Sequence, residues 1–367
     1  MDGSLPPNVD GSSCFLNALI TAIFVPVVPA IDAILLSPSA RPITVDDDPV
    51  RFALHVVARI VRGTQPAPAA AGDWRAIRPA LCAAEGGARF LHGQQDPGEL
   101  LDYLLQTTGG AKAALFGTHI SEEKVYAPPA PRVVETRVEM NRVCHGAFSD
   151  LAAVFPRRGG EAELPRNEYS LLRTSHVEEL LLPDSGALVF SVDKLNRRPC
   201  VYYGARDAAT RAFFMSVATA GGGAQRLMLH SVVVWQGALS LDGAHSSGHY
   251  AAYAYDARRL CWVFYDDAAG APQDVPEGES PETWPRGAPR FTYGLSKKTQ
   301  KRAARDNVTG ALHLFESSHD EAVHAEQHEA DMCSAWRPSA QGVLFIYSPC
   351  CSSSKRSSSA DAASRRL

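Results

Sequence analysis

The feature that most constrains the fold is a change of rhythm at Pro183. Beyond it lie short β-branched and aromatic runs, at Ala187 to Asp193, Val201 to Gly204, Ala212 to Ala218, Leu227 to Gln236, His249 to Tyr255, Leu260 to Tyr265 and Val343 to Tyr347. Gly, Asp or Asn punctuates them, and such runs fit the pleated surface of a sheet. Ahead of Pro183 the apolar residues recur at helical spacing instead. Arg51 to Arg62 sets an apolar face against Arg51, Arg59 and Arg62, and a further helix is expected from Trp74 to about Ala84. Helices first and an antiparallel sheet afterwards make an α+β protein. From His119 to about Leu182 the signal is poor, because Pro128, Pro129, Pro131, Gly159 and Gly160 interrupt a weak periodicity.

Two stretches of the helical half invite a chemical reading. In Gly11-Ser12-Ser13-Cys14-Phe15-Leu16-Asn17-Ala18-Leu19 a small turn delivers Cys14 to the first turn of an apolar helix. Unpaired N–H groups and the helix dipole favour a thiolate there. Taken alone, the stretch equally suits a buried small apolar side chain. Ala18 to Ile31 is apolar but shorter than the roughly 20 residues of a membrane span, and Pro26 and Pro29 interrupt it, so no membrane span is expected. In the second stretch, Gln94 to Leu105, Asp96 is a good N-cap, Pro97 suits the first helical position and Glu99 the third. Leu100, Leu101, Leu104 and Leu105 supply the buried face. A well-capped core helix explains all of this except Gln94-Gln95.

Composition narrows the function classes. A net charge of −4 over 367 residues argues against a dedicated nucleic-acid binder, which would carry a basic excess. The 8 cysteines lack the regular spacing of a disulfide framework and form no C-x-x-C pair, and no secretory signal is read in a start that carries Asp2 and no Lys or Arg. A reducing, cytoplasmic or nuclear setting is expected, with no zinc ribbon. Pro272 to Trp336 has the composition of an insertion. Its basic run from Lys297 to Arg305 reads as a solvated helix face, and His324 and His328 have metal-pair spacing without a third specified ligand. The Ser-rich stretch 349–367 is expected to be disordered.

A thiol nucleophile needs a base, and the base needs an orienting acceptor. Ser246-Ser247-Gly248-His249-Tyr250 puts a histidine at the start of a strand, and Cys261-Trp262-Val263-Phe264-Tyr265-Asp266-Asp267 ends the next strand in two carboxylates. A turn near Asp256 to Arg259 joins them, so a hairpin sets His249 within reach of Asp266.

These boxes together resemble the ubiquitin-specific proteases, papain-like cysteine peptidases. Gly11 to Leu19 is similar to the family's G-N-T-C-Y-L-N-A-L, Gln94 to Leu101 to Q-Q-D-A-H-E-F-L, and Gly248-His249-Tyr250 with Trp262 to Asp267 to G-H-Y and W-x-x-F-(N/D)-D. Leu182-Pro183 with Ala187 to Leu195 resembles a core strand of the family, and Gly342 to Tyr347 its closing strand. The resemblance spans residues 8 to 348. It implies a catalytic domain over 1–348, with a helical thumb over about 8–118 and a palm and reduced fingers over about 119–348, the insertion at about 272–336 included.

The resemblance further implies that Cys14 attacks the carbonyl of the C-terminal glycine of ubiquitin, His249 moves the proton and Asp266 orients the imidazole. Asp267 would share the orienting or the oxyanion role, and Gln94, Asp96, Glu99, Gly248 and Tyr250 would line the channel for ubiquitin's tail. The expected partners are ubiquitin and ubiquitinated proteins, with no cofactor and no metal. Some positions depart from the pattern. Where the family has an oxyanion-hole asparagine five residues before the cysteine stands Val9, with Asn8 one residue further away. Either Asn8 serves or Ser12, Ser13 and the Cys14 N–H do. Gly98 and Trp235 replace histidines, and without C-x-x-C pairs the fingers are expected to be short or held by packing, without zinc. A catalytically weak ubiquitin-binding adaptor and an isopeptidase for a ubiquitin-like modifier are the alternatives.

Overall fold

The computed structural model describes residues 8, 11–37, 43–64, 71–110, 113–126, 133–146, 157–163, 171–192, 204–220, 222–239, 246–269, 271–281 and 342–350. Most of the 272–336 insertion, with its basic run and histidine pair, and nearly all of the 349–367 tail lie outside these residues.

Among the described residues five α-helices come first. Every residue of α1 (Cys14–Phe24) is buried. Its run has no Gly or Pro until Pro26, beyond which α2 (Pro29–Leu35) starts with proline in its first turn. The corner between them is fastened from α3 (Pro49–Val61), whose neighbour Arg62 donates to the Phe24 carbonyl at 3.0 Å and to both carboxylate oxygens of Asp32 at 2.7 and 2.9 Å. One guanidinium thus satisfies an orphan helix-end carbonyl and a half-buried acid. No single described helix is long and apolar enough to cross a membrane; α1 and α2 together are apolar enough but are bent by 116°. α4 (Ala71–Leu81) carries Pro79 in its last turn. α5 (Pro97–Gly109) begins as its local chemistry requires, with the Asp96 carboxylate accepting from the Gly98 and Glu99 N–H groups at 2.7 and 3.1 Å.

The strands are β1 (Phe116–Tyr126), β2 (Val133–Asn141), β3 (Cys144–Gly146), β4 (Arg157–Glu163), β5 (Leu171–Leu181), β6 (Leu188–Val192), β7 (Ala205–Arg206), β8 (Phe213–Thr219), β9 (Gly223–Leu239), β10 (Ser246–Asp256), β11 (Cys261–Tyr265), β12 (Gln273–Asp274) and β13 (Gly342–Pro349). All belong to one sheet whose main path runs β12-β11-β10-β9-β8-β5-β1-β2. β9 is its spine: Leu227 and Met228 pair with both β8 and β13, and residues 231–234 with both β10 and β13. A strand has two edges, so β8 and β10 follow one another along one edge while β13 holds the other, with β6 beyond it. The sheet is antiparallel except at β3·β6 and the single β5·β8 pair.

The region of poor sequence signal forms most of β1 and all of β2 to β5. Beyond Ile120 the side chains of β1 are only half buried, and those of β2 are mostly exposed. Cross-strand pairs Lys124–Glu135 and Arg137–Glu122, both at 2.8 Å, cover one face. On β2, Val134, Val138 and Met140 do alternate with Glu135, Arg137 and Glu139, but these apolar side chains are exposed, so the alternation marks no buried face.

Helices and sheet share one continuous apolar core from α1 to β13. α1 lies across β10 and β9, and the buried Ser231 hydroxyl of β9 donates to the Ala22 carbonyl at 2.7 Å. Where α5 meets β6, Gly98 is pressed so closely that a Cβ there would fall 2.1 Å from Ser191 Oγ. A glycine in the histidine position of the resembling motif therefore has a packing reason.

Candidate active site

The site lies where the start of α1 meets the β10–β11 hairpin. Gly11, at φ 70°, turns the chain into Ser12 and Ser13, and Asn8 Oδ1 accepts the Ser13 N–H at 3.1 Å. Ser13 makes no side-chain cap bond to α1. Beneath the turn runs Arg78 of α4, only 5% exposed. It donates to Ser12 Oγ at 3.0 Å, to the Phe90 carbonyl at 2.7 Å and to the Gly93 carbonyl at 2.6 Å, with its guanidinium 5.1 Å from the centre of the Phe15 ring. A buried charge needs such partners. The arginine thereby fastens the cysteine turn to the segment that leads into Gln94.

His249 enters from β10. The register pairs Ala252 with Tyr265 and Asp256 with Cys261, and Asp256 Oδ1 turns the loop by accepting from the Arg258 and Arg259 N–H groups. This hairpin places His249 Nε2 2.7 Å from Asp266 Oδ1, which also accepts the Ala268 N–H at 2.9 Å. Asp267 Oδ1 stands 3.5 Å from the same nitrogen, and its Oδ2 accepts from Asn17 Nδ2 at 2.7 Å. Nε2 being engaged, Nδ1 is the nitrogen that serves the thiol side, where His249 is hydrogen-bonded to Cys14. Burial works to lower the His249 pKa, but the hydrogen bonds and charges of Asp266 and Cys14 outweigh it and raise it to about 10. The site therefore favours the protonated, charged form of the ring.

Gln94 closes the third side. Its Nε2 donates to the Gly248 carbonyl at 2.7 Å and stands 3.2 Å from Cys14 Sγ. Gly248 is itself confined, since a Cβ would fall 2.3 Å from the Trp235 indole nitrogen. Tyr250 is buried beside the site, and burial, then the charges of Asp96, Cys14 and Glu99, raises its phenol pKa so that it stays neutral. Asp96 is occupied as the α5 cap, and the half-exposed Glu99 pairs with Arg89 at 3.3 Å. Cys14, His249, Asp266, Asp267, Gln94, Gly248 and Tyr250 are thus brought together, Asn8 braces the turn from behind, and Asp96 and Glu99 sit at the mouth of α5. Two contributors received no role from the sequence. Asn17 lies within the cysteine motif, one helical turn from Cys14, and Arg78 carries no local signal at all.

Among the described residues, His249, Asp266 and Asp267 form the one group of three whose ligand atoms lie within 4.8 Å of one another. Two ligands of a tetrahedral ion stand about 3.3 Å apart, given bonds near 2 Å. The 2.7 Å separation of His249 and Asp266 is that of a shared proton instead.

No protein-family model and no curated protein matches the sequence. Solved structures do. A chain in the structure of the SAGA Ubp8/Sgf11/Sus1/Sgf73 DUB module bound to ubiquitin aldehyde aligns over 95% of this chain and 70% of its own length, with a TM-score of 0.53 and 11% identity. The fold is shared with that one chain of the DUB module. The likeness is one of backbone path, an α+β, sheet-rich architecture, and it leaves the chemistry to be argued from the side chains.

Proposed function

We propose that this protein is a thiol-dependent deubiquitinase. The observation that carries the reading is the hydrogen-bonded series Cys14, His249, Asp266 at the helix–hairpin junction of a fold shared with a DUB module. Cys14 sulfur, as thiolate, attacks the carbonyl carbon at the C-terminal glycine of ubiquitin. The tetrahedral intermediate collapses as the His249 imidazolium gives the Nδ1 proton to the departing lysine amine, leaving a thioester on Cys14. His249, now neutral, takes a proton from water as it attacks the thioester, and cleavage releases the ubiquitin carboxylate and restores the thiolate–imidazolium pair. Asp266 keeps the ring oriented and charged. Asp267, held by Asn17, adds a second carboxylate on the same side, and Glu99 at the mouth suits the arginines of ubiquitin's tail.

The test is a ubiquitin carrying a thiol-reactive group at its C-terminus. It should label the protein at Cys14, and Cys14→Ala or His249→Ala should abolish hydrolysis of a fluorogenic ubiquitin amide. Binding of ubiquitin without labelling would sink the proposal, as would labelling only by a probe made from a ubiquitin-like modifier.

A further inference from the structure

We infer that Gln94 is the side-chain donor of the oxyanion hole, an inference that rests on the cysteine-peptidase reading of Cys14. The oxyanion develops on the carbon that becomes bonded to Cys14 sulfur, so a donor lodged against Sγ is placed to receive it. Gln94 Nε2 stands 3.2 Å from that sulfur. Its identity as the nitrogen end of the amide is fixed by chemistry, since its other partner, the Gly248 carbonyl at 2.7 Å, can only accept. One amide hydrogen anchors the group to β10, and the second faces the reacting atoms.

A donor of this kind works when it does not have to reorganise. Gln94 is held from both sides along the chain: Arg78 grips the Gly93 carbonyl at 2.6 Å, and Asp96 caps α5 two residues later. The same arginine holds Ser12 Oγ at 3.0 Å. One guanidinium therefore sets the spacing between Gln94 and the second donor, the Cys14 N–H at the start of α1, where the Ser13 side chain provides no cap. Asn8 supports the turn by accepting the Ser13 N–H at its Oδ1.

The experiment compares Gln94→Met, which keeps the shape without donors, and Gln94→Ala with the unchanged protein, using a fluorogenic ubiquitin amide, ubiquitin aldehyde and iodoacetamide. Expected are a kcat lower by about 100- to 1,000-fold, a nearly unchanged KM, and a matching loss of affinity for ubiquitin aldehyde, whose adduct with Cys14 carries an oxygen where the oxyanion forms. Alkylation of Cys14 by iodoacetamide, which develops no oxyanion, should keep its rate. A raised KM with unchanged kcat would overturn the inference and make Gln94 a group that binds the tail. An alkylation rate falling in step with kcat would overturn it in favour of a role toward the sulfur alone. Unchanged kinetics would also overturn it. If the unchanged protein is alkylated at Cys14 yet inert toward ubiquitin amide, the deubiquitinase reading itself fails and the inference goes with it. Coincident thermal midpoints for the two variants and the parent separate these outcomes from misfolding.

Discussion

At the scale of single residues the site depends on buried charges held by more than one partner. Asp266 Oδ1 receives both His249 Nε2 and the Ala268 N–H, so the carboxylate is fixed before the ring is. Replacing it by Asn removes the charge that helps raise the His249 pKa to about 10. Asp266→Asn should lower kcat by about 10²- to 10⁴-fold, the usual span of acid–base catalysis. It should also move the alkaline limb of the kcat profile to lower pH, because the leaving amine loses its proton donor sooner as pH rises. A pH–rate profile of the two proteins checks both. Asn17 acts at one remove, through its 2.7 Å bond to Asp267 across 250 residues of sequence. Asn17→Ala removes one hydrogen bond from a buried acid, and hydrogen bonds to charged groups contribute about 1.5–3 kcal/mol. A loss of that order is expected in urea unfolding.

At the scale of elements, what the sequence disclosed depended on whether the governing chemistry was local. The start of α5 was legible because Asp96, Pro97 and Glu99 carry their own capping signal, and the structure shows that cap. The β10–β11 hairpin was legible because both strands are buried runs joined by a turn residue, Asp256, that bonds its own backbone. β1, β2 and β5 were not, since Pro128, Pro129, Pro131, Gly159 and Gly160 interrupt the region and the ladder is dressed with ion pairs rather than with a buried apolar face. Within the site, Cys14, His249 and Asp266 could be picked out as motifs, whereas Arg78 could not, its contacts with Ser12, Phe15, Phe90 and Gly93 being made with parts of the chain that only folding assembles. The tight seat of Gly98 belongs to this scale too. Gly98→Ala drives a methyl group into Ser191 of β6 and should destabilise by about 1–3 kcal/mol, as overpacking does. Adding Ser191→Gly should recover part of the loss, a coupling that a double-mutant cycle in urea measures.

At the scale of the whole molecule two buried histidines oppose each other. His230 on β9 is 2.7 Å from Ser348 Oγ on β13, and burial lowers its pKa from 6.5 to about 4. The unfolded chain therefore binds a proton that the folded one refuses, and stability falls as pH drops from 6.5 toward 4. His249 runs the other way. Its raised pKa gives stability that is complete below 6.5 and is lost as pH climbs through about 10. Between them the two place the stability maximum near pH 6.5. His230→Gln should flatten the acid side of a plot of urea midpoint against pH and leave the alkaline side as it was. The acid-side effect amounts to about 3 kcal/mol at most, at 1.36 kcal/mol per pH unit.

The position of β13 bears on how such a molecule comes into being. It lies between β6 and β9, although it is made long after either. Until residues 342–349 leave the ribosome, β6 and β9 each keep an unpaired edge. α5 packs on one side of that gap and α1 on the other. The helix bearing Cys14 and the segment bearing Gln94 still meet through α1, α5 and Arg78 in that interval, but the strands beneath them are not yet joined. A nascent chain thus carries the side chains of the site above a sheet that one late strand has still to close.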